Sequence, residues 1–283
     1  MTAEAQPGLQ PGGSTVARRG DSLRQWVVLI CLVLALVGDA VGSGAFGGTP
    51  IQKAAGGALS ANATVVAPAV PAFSIWAVIY LALIGYTVVQ FLPSRKSDAK
   101  QRALGYPMAV SLLLNAAWIL SVQAGLLTLS VVVIALLLAA LAWAFVIVAR
   151  NPATGILDAV FVDGAAGLYL GWVCVATAAN IAAGLTAAGF TGWGLSADVW
   201  GCAVLVVAGL VGVGLALFGK GRLAPAASLV WGIVWIAVER SSGEPQSTAV
   251  AVTAGVVAAV VVVVTVGIRL LAVRRRRMNT TSS

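Results

Sequence analysis

Aromatic and amide side chains inside otherwise apolar segments are the residues of this sequence whose types and spacing could bind a ligand. Trp76 and Tyr80 lie four residues apart, so a helix places both rings on one face. Asn115 and Trp118 lie three residues apart, which is close to one helical turn. Indole rings offer apolar walls, and amides offer the few hydrogen bonds that orient a bound molecule. These residues therefore indicate binding of a small molecule.

A third segment, residues 168–180, carries further polar and aromatic side chains. Tyr169, Trp172 and Asn180 share one helical face, and Thr177 lies beside it. At about 1.5 Å per residue, a larger set falls at compatible depths in a bilayer: Asp39, Trp76, Tyr80, Asn115, Trp118, Trp172 and Asn180. If their faces converge, they form an aromatic pocket that opens toward the long loop of residues 46–72. Alternatively, the rings mark the membrane interface and the asparagines bond to neighbouring helices.

The composition identifies the elements that must position these residues. Hydrophobic residues make up 60% of the 283-residue chain, charged residues 9%, and the mean hydropathy is +1.00. So few charges cannot cover a water-facing surface, because soluble domains carry about 25% charged residues. The sequence therefore predicts an integral membrane protein. It contains no histidine, which excludes a Ser-His-Asp triad and histidine-ligated haem or zinc.

Uncharged apolar runs of about 20 residues predict eight membrane-spanning helices. They cover residues 25–45, 73–92, 104–124, 126–149, 159–183, 198–218, 223–238 and 248–273. If the N-terminus lies on the inner side, successive spans cross the membrane in alternating directions. All of the 17 basic residues except Lys53 and Arg240 then lie on the inner side. The positive-inside rule therefore predicts that both termini are cytoplasmic. Because topology explains the net charge of +8, we do not expect nucleic acid as a partner, whereas residues 274–277 could contact anionic lipid.

Three strings of residues occur in an order and spacing that resemble those of a known family. They are Trp76-Ala-Val-Ile-Tyr80, Asn115-Ala-Ala-Trp118 and the run of residues 168–180. They resemble the W-x-x-x-Y, N-x-x-W and L-W-V-x-x-A-T-x-x-N patterns of the TspO/translocator-protein family, also called tryptophan-rich sensory proteins. The resemblance covers residues 26–183, the region of the first five spans, and the chain looks like a longer bacterial form.

The resemblance implies a five-helix bundle, often dimeric, that binds tetrapyrroles such as protoporphyrin in a pocket capped by the first loop. The ligand-binding residues would be Trp76, Tyr80, Asn115, Trp118, Trp172, Thr177 and Asn180. Asp39, Lys53 and Tyr169 are further candidates, and Lys53 on the capping loop could meet a propionate. We predict no catalytic residue, no metal ligand and no cofactor other than a bound porphyrin.

The sequence departs from the family pattern just before the second span. The family's W-x-P-P motif is reduced to Pro68 and Pro71, and Val65 stands about where its tryptophan would be. One aromatic wall of a porphyrin pocket is therefore missing from the sequence. The spacing from Phe73 to Trp76 is also one residue shorter than the usual pattern.

We therefore predict an all-α, polytopic transmembrane helix bundle in a bacterial plasma membrane. Its parts would be a disordered cytoplasmic N-terminus over residues 1–22, a TspO-like five-helix core over residues 23–184, three further transmembrane helices over residues 185–274, and a basic disordered tail over residues 275–283. The expected partners are a small apolar or tetrapyrrole ligand, membrane lipid and a second copy of the chain.

Other functions remain open at this point. Buried Asp39 and Asp163 could relay protons in a secondary transporter or a proton-coupled exporter, although the sequence shows no internal repeat. A non-catalytic scaffold could pair through glycine-rich helix faces. The carboxylates are scattered along the chain, which does not favour a conventional enzyme.

Overall fold

Eight long helices make up the part of the chain that the structure describes, residues 19–42, 44 and 49–281 of a computed structural model. They are α1 Arg19–Gly42, α2 Ile75–Phe91, α3 Ala99–Gln123, α4 Leu127–Arg150, α5 Gly164–Ala187, α6 Ala197–Phe218, α7 Leu223–Ser242 and α8 Thr248–Thr281. Each belongs to a helical stretch long and apolar enough to cross a membrane, and the described residues form no β-strand. The predicted polytopic helical bundle is confirmed, and the protein is an integral membrane protein.

The helices at both ends of the chain are longer than the sequence predicted. α1 begins at Arg19, inside the segment expected to be disordered, and residues 1–18 of that segment lie outside the described residues. α8 continues to Thr281 through most of the predicted tail, of which residues 282–283 also lie outside. Arginine is a good helix former, so the arginine run prolongs a helix that is already established.

Successive helices run in opposite directions, so their connections meet at two ends of the bundle. At one end Arg24 of α1 donates to the carbonyl of Lys96, 3.1 Å away, and we call this the basic end. At the other end Gln123 of α3 donates to the carbonyl of Thr49, 2.7 Å away. This second end holds the first loop, residues 49–74, and we call it the loop end.

Glycines bring particular pairs of helices close together. A Cβ on Gly42 would lie 2.8 Å from Ile119, so α1 packs tightly against α3. On α5, a Cβ at Gly171 would meet the carbonyl of Pro225 and the hydroxyl of Ser228 on α7. The last three helices therefore attach to the first five mainly through α7, and α8 packs against both α6 and α7.

Buried ion pairs join the helices at the basic end. The carboxylate of Asp163 accepts hydrogen bonds from Lys100, at 2.5 Å, and from Arg222. Lys100 also lies 3.4 Å from Asp158, and a π-helical segment, Asp158–Asp163, places both carboxylates beside it. Asp163 thus links α3, the start of α5 and the connection between α6 and α7. Removing one member of such a buried pair leaves an uncompensated charge, which is strongly destabilising.

The first loop is fastened to α7 by a buried arginine and a tryptophan. The Arg240 side chain is 0% exposed and donates to the carbonyls of Ala61, at 2.6 Å, and Pro245, at 2.8 Å. Trp231, which precedes Arg240 on α7, donates to the carbonyl of Ala72 at 2.9 Å. Arg240, one of two basic residues that the charge alternation left on the outer side, therefore holds the loop end together.

We predict that Arg240→Met lowers the stability of the protein by roughly 2 kcal/mol or more, because buried carbonyls lose a charged donor. Thermal unfolding of the purified protein in detergent measures this as a lower melting temperature. Arg150→Met, at an exposed position at the end of α4, is the matched control and should leave the melting temperature unchanged. Equal melting temperatures for the two variants would contradict the role assigned to Arg240.

Candidate functional site

An aromatic cluster lies between α2 and α5 near the loop end. The rings of Trp76 and Tyr80 are stacked with centroids 5.4 Å apart, as their spacing on one helix predicts. Trp76 also meets Tyr169 at 5.8 Å and Trp172 at 6.3 Å in edge-on contacts. Phe73 adds a further edge-on contact to Trp172 at 5.7 Å. These contacts bring together four of the sequence-predicted residues.

The amides of the predicted set hold the helices around this cluster. Asn115 of α3 donates to the hydroxyl of Tyr80 at 2.9 Å. The indole N–H of Trp118 donates to the Asn180 carbonyl oxygen at 2.8 Å. Asn180 in turn donates to Ser130 of α4 at 3.0 Å. The asparagines therefore join neighbouring helices, which is the alternative that the sequence left open for them.

A small cavity lies among these residues beneath the first loop. Its volume is about 30 Å³, room for roughly one or two water molecules. It is lined by Ala58, Leu59, Thr64, Ala67, Pro68, Phe73, Trp76, Trp118, Trp172, Ala176, Ala179 and Asn180. We expected a pocket that opens toward the long loop, and residues of that loop line one side of this cavity. Apolar residues of the loop cover the aromatic rings, because their burial is favourable, and they leave only a small space beneath the loop.

Three polar atoms beside the cavity have no hydrogen-bond partner. They are the indole N–H of Trp172, the side-chain carbonyl oxygen of Asn115 and the hydroxyl of Thr64, and Trp172 and Asn115 are each only 1% exposed. An unpaired buried polar atom costs about 1–3 kcal/mol, so native proteins rarely leave one without a water or a ligand. Trp172 lines the cavity, and its indole N–H is buried beside it without a partner.

The structure separates the remaining candidates from this cavity. Tyr80, Asn115 and Tyr169 stand behind the lining rings and support them. Thr177 faces the other side of α5, where it lines a groove between α5 and α6. Lys53 is exposed on the first loop, Asp39 is partly buried on α1, and neither lines the cavity.

Sequence reasoning missed several residues of the site. Phe73 was considered only for its spacing to Trp76 and was not chosen, although its ring contacts Trp172. Ser130 was missed as the partner of Asn180, although a lone serine in a long apolar span was a detectable signal. Thr64 and Pro68 belong to the first loop, whose path no helical period could predict.

The lining of the cavity determines what the arrangement can do chemically. None of its lining residues carries a charge, and most of its surface is aromatic or aliphatic. Such a site can stack a flat apolar molecule and orient it by hydrogen bonds to Trp172 or Asn180. Its lining offers no pair of titratable groups for acid–base catalysis.

Comparison with known proteins agrees with this architecture. The family model described as TSPO-like protein matches residues 25–267, which run from α1 into α8. No curated protein and no solved structure gave a significant match. The matched range includes every residue of the aromatic cavity and extends over α6 and α7, beyond the three sequence motifs. The chain belongs to the TSPO-like protein family.

Proposed function

We propose that this membrane protein binds a flat apolar molecule of the tetrapyrrole class, such as protoporphyrin, in the aromatic cavity. The observation that carries the proposal is the unpaired indole N–H of Trp172, which stands among the rings of Phe73 and Trp76. A tetrapyrrole offers a flat face for these rings and acceptor atoms for the free donor. Binding of this kind suits a sensory or ligand-handling protein.

Binding requires the first loop to move, because the cavity is far smaller than the ligand. Sites for molecules of drug size measure about 300–1,000 Å³, against about 30 Å³ here. Loop residues such as Leu59 and Pro68 occupy the space above the rings. On this proposal the ligand selects a second, open state, in which the loop lies away from the rings.

Secondary transport has less support than ligand binding. Asp163, the proposed proton carrier of that alternative, is bound to Lys100 and Arg222, so its charge already serves to join helices. Asp39 lies on α1 outside the cavity lining. A proton relay through these two carboxylates would have to break ion pairs at the basic end on each cycle, which is costly.

We further propose that the protein lies in a bacterial plasma membrane with its basic end in the cytoplasm and that it forms a homodimer. The positive-inside rule supports this orientation. Two pairs of glycines lie on helix faces that could have joined two copies of the chain. Gly38 and Gly42 pack against α3 instead, and Gly167 and Gly171 pack against α7. A second copy would therefore dock on other helix faces.

Protoporphyrin titrated into the purified protein in detergent should quench tryptophan fluorescence saturably. Trp172→Phe keeps an aromatic ring but removes the free donor, so we expect affinity to fall by roughly three- to tenfold. Trp143→Phe, at an exposed position on α4, is the matched control and should retain the original affinity. Linear quenching that is the same in all three proteins would show partition into detergent and would contradict binding at the cavity.

The orientation is tested with reporters fused to the chain in a bacterial host. Green fluorescent protein after Ser283 should fluoresce and alkaline phosphatase there should be inactive, because both report a cytoplasmic position. The same reporters inserted after Gly243, in the connection between α7 and α8 at the loop end, should give the opposite pattern. The reverse result at both positions would overturn the proposed orientation.

A further inference from the structure

A groove much larger than the aromatic cavity lies between α5 and α6. Its volume is about 730 Å³, within the range of small-molecule sites. One wall is formed by α5 from Cys174 to Thr186, and the other by α6 from Ala197 to Val211. The first loop, near Thr64, and Pro245 close it at the loop end. The function proposed above does not use this groove.

The groove exists because α6 packs away from α5. A Cβ on Gly209 would lie 2.7 Å from Val257, and one on Gly212 would lie 2.9 Å from Val261, so α6 sits tightly on α8. α6 has few contacts with α5, whereas α7 packs extensively against α5. The tight α6–α8 contact therefore holds α6 in place and leaves a gap at α5.

The groove is accessible from the lipid. Leu185 of α5 and Val207 of α6 line it and are 45% and 59% exposed, so it is an open groove and not an enclosed cavity. From Trp200 to Val211 the α6 wall is about 16 Å long, close to half of the ~30 Å hydrocarbon core. A molecule dissolved in one leaflet can therefore enter from the side and lie along its length.

The mouth of the groove carries an aromatic cluster typical of the membrane interface. Phe190, Trp193 and Trp200 meet edge-on with centroids 5.3 to 5.9 Å apart. Trp193 is 81% exposed, as expected for an indole at headgroup level. Phe190 and Trp200 line the groove itself, so the apolar channel begins at the membrane surface.

Two hydroxyl groups in the groove have no partner. Thr177 lines the groove and is 7% exposed, and its Oγ1 is buried without a hydrogen-bond partner. The Oγ1 of Thr64 is also buried without a partner and lines the same groove. Each hydroxyl is a donor that a carbonyl oxygen could satisfy, and leaving it unpaired in a dry site is costly.

The charges exclude some occupants of the groove. None of its lining residues is charged, so a phosphate headgroup would find no cationic partner inside it. We propose that the groove binds a neutral, elongated membrane lipid whose polar group is a carbonyl, the class to which prenylated quinones belong. The carbonyl accepts from Thr177 and Thr64, and the apolar chain lies against α6.

Decylubiquinone is a suitable probe, because it is neutral, bears carbonyls and quenches tryptophan fluorescence. Titrated into the purified full-length protein in detergent, it should quench saturably. Thr177→Val keeps the shape of the side chain but removes the donor, so we expect affinity to fall by roughly three- to tenfold. Thr265→Val is the matched control, because this buried hydroxyl on α8 is already bonded to the Val261 carbonyl at 2.6 Å.

A second pair of variants tests the groove by its volume. Ala182→Phe places a ring in the groove and should abolish saturable quenching, whereas Ala259→Phe on the exposed side of α8 should not. Protoporphyrin affinity should be unchanged in all four variants. The proposal for the groove can therefore fail without affecting the proposal for the aromatic cavity. Unchanged quinone affinity in Ala182→Phe would overturn the site. Equal affinity of Thr177→Val and Thr265→Val would overturn the assigned ligand class and leave a phospholipid chain as the occupant.

Discussion

The bundle depends on the rule that a polar group inside a bilayer must find its partner within the protein, because lipid offers none. Asn115 meets Tyr80, and Asp163 meets Lys100 and Arg222, so each polar side chain fixes the position of a neighbouring helix. Some buried polar atoms are exceptions, and those of Tyr86, Gln90 and Gln101 lie away from both cavities. The unpaired donors of Trp172 and Thr177 differ from these because their side chains line two cavities, where a molecule from outside the chain could complete the pairing.

The departure of this sequence from the family pattern has a structural cause in the additional helices. Val65 stands about where the resemblance leads one to expect a tryptophan. A Cβ on Gly201 of α6 would lie only 2.8 Å from the Val65 side chain, so α6 occupies the space that a larger side chain at this position would need. The valine at position 65 and the glycine at position 201 therefore leave enough space for α6 to pack beside the first loop. The aromatic wall comes instead from Phe73, Trp76 and Trp172.

The sequence predicted the helices well and their neighbours poorly, for a physical reason. Span length, charge alternation and shared helical faces depend on residues close in the chain, so the eight helices and the stacking of Trp76 on Tyr80 followed from local pattern. Which segment packs against a given helix face depends on residues that are far away in the sequence. Thr177 therefore could not be assigned to the groove, nor Arg240 to the carbonyl of Ala61, before the packing of α6 and α7 was known. The same limit hid how closely the first loop packs over the aromatic rings.

The first loop connects the two cavities in space. Thr64 lines both of them, on a loop that Arg240 and Trp231 fasten to α7. The last three helices therefore shape the surroundings of the aromatic site without contributing a residue to its lining. Helix α7 bonds to the loop that covers the aromatic rings, and α6 forms one wall of the groove that the loop also lines.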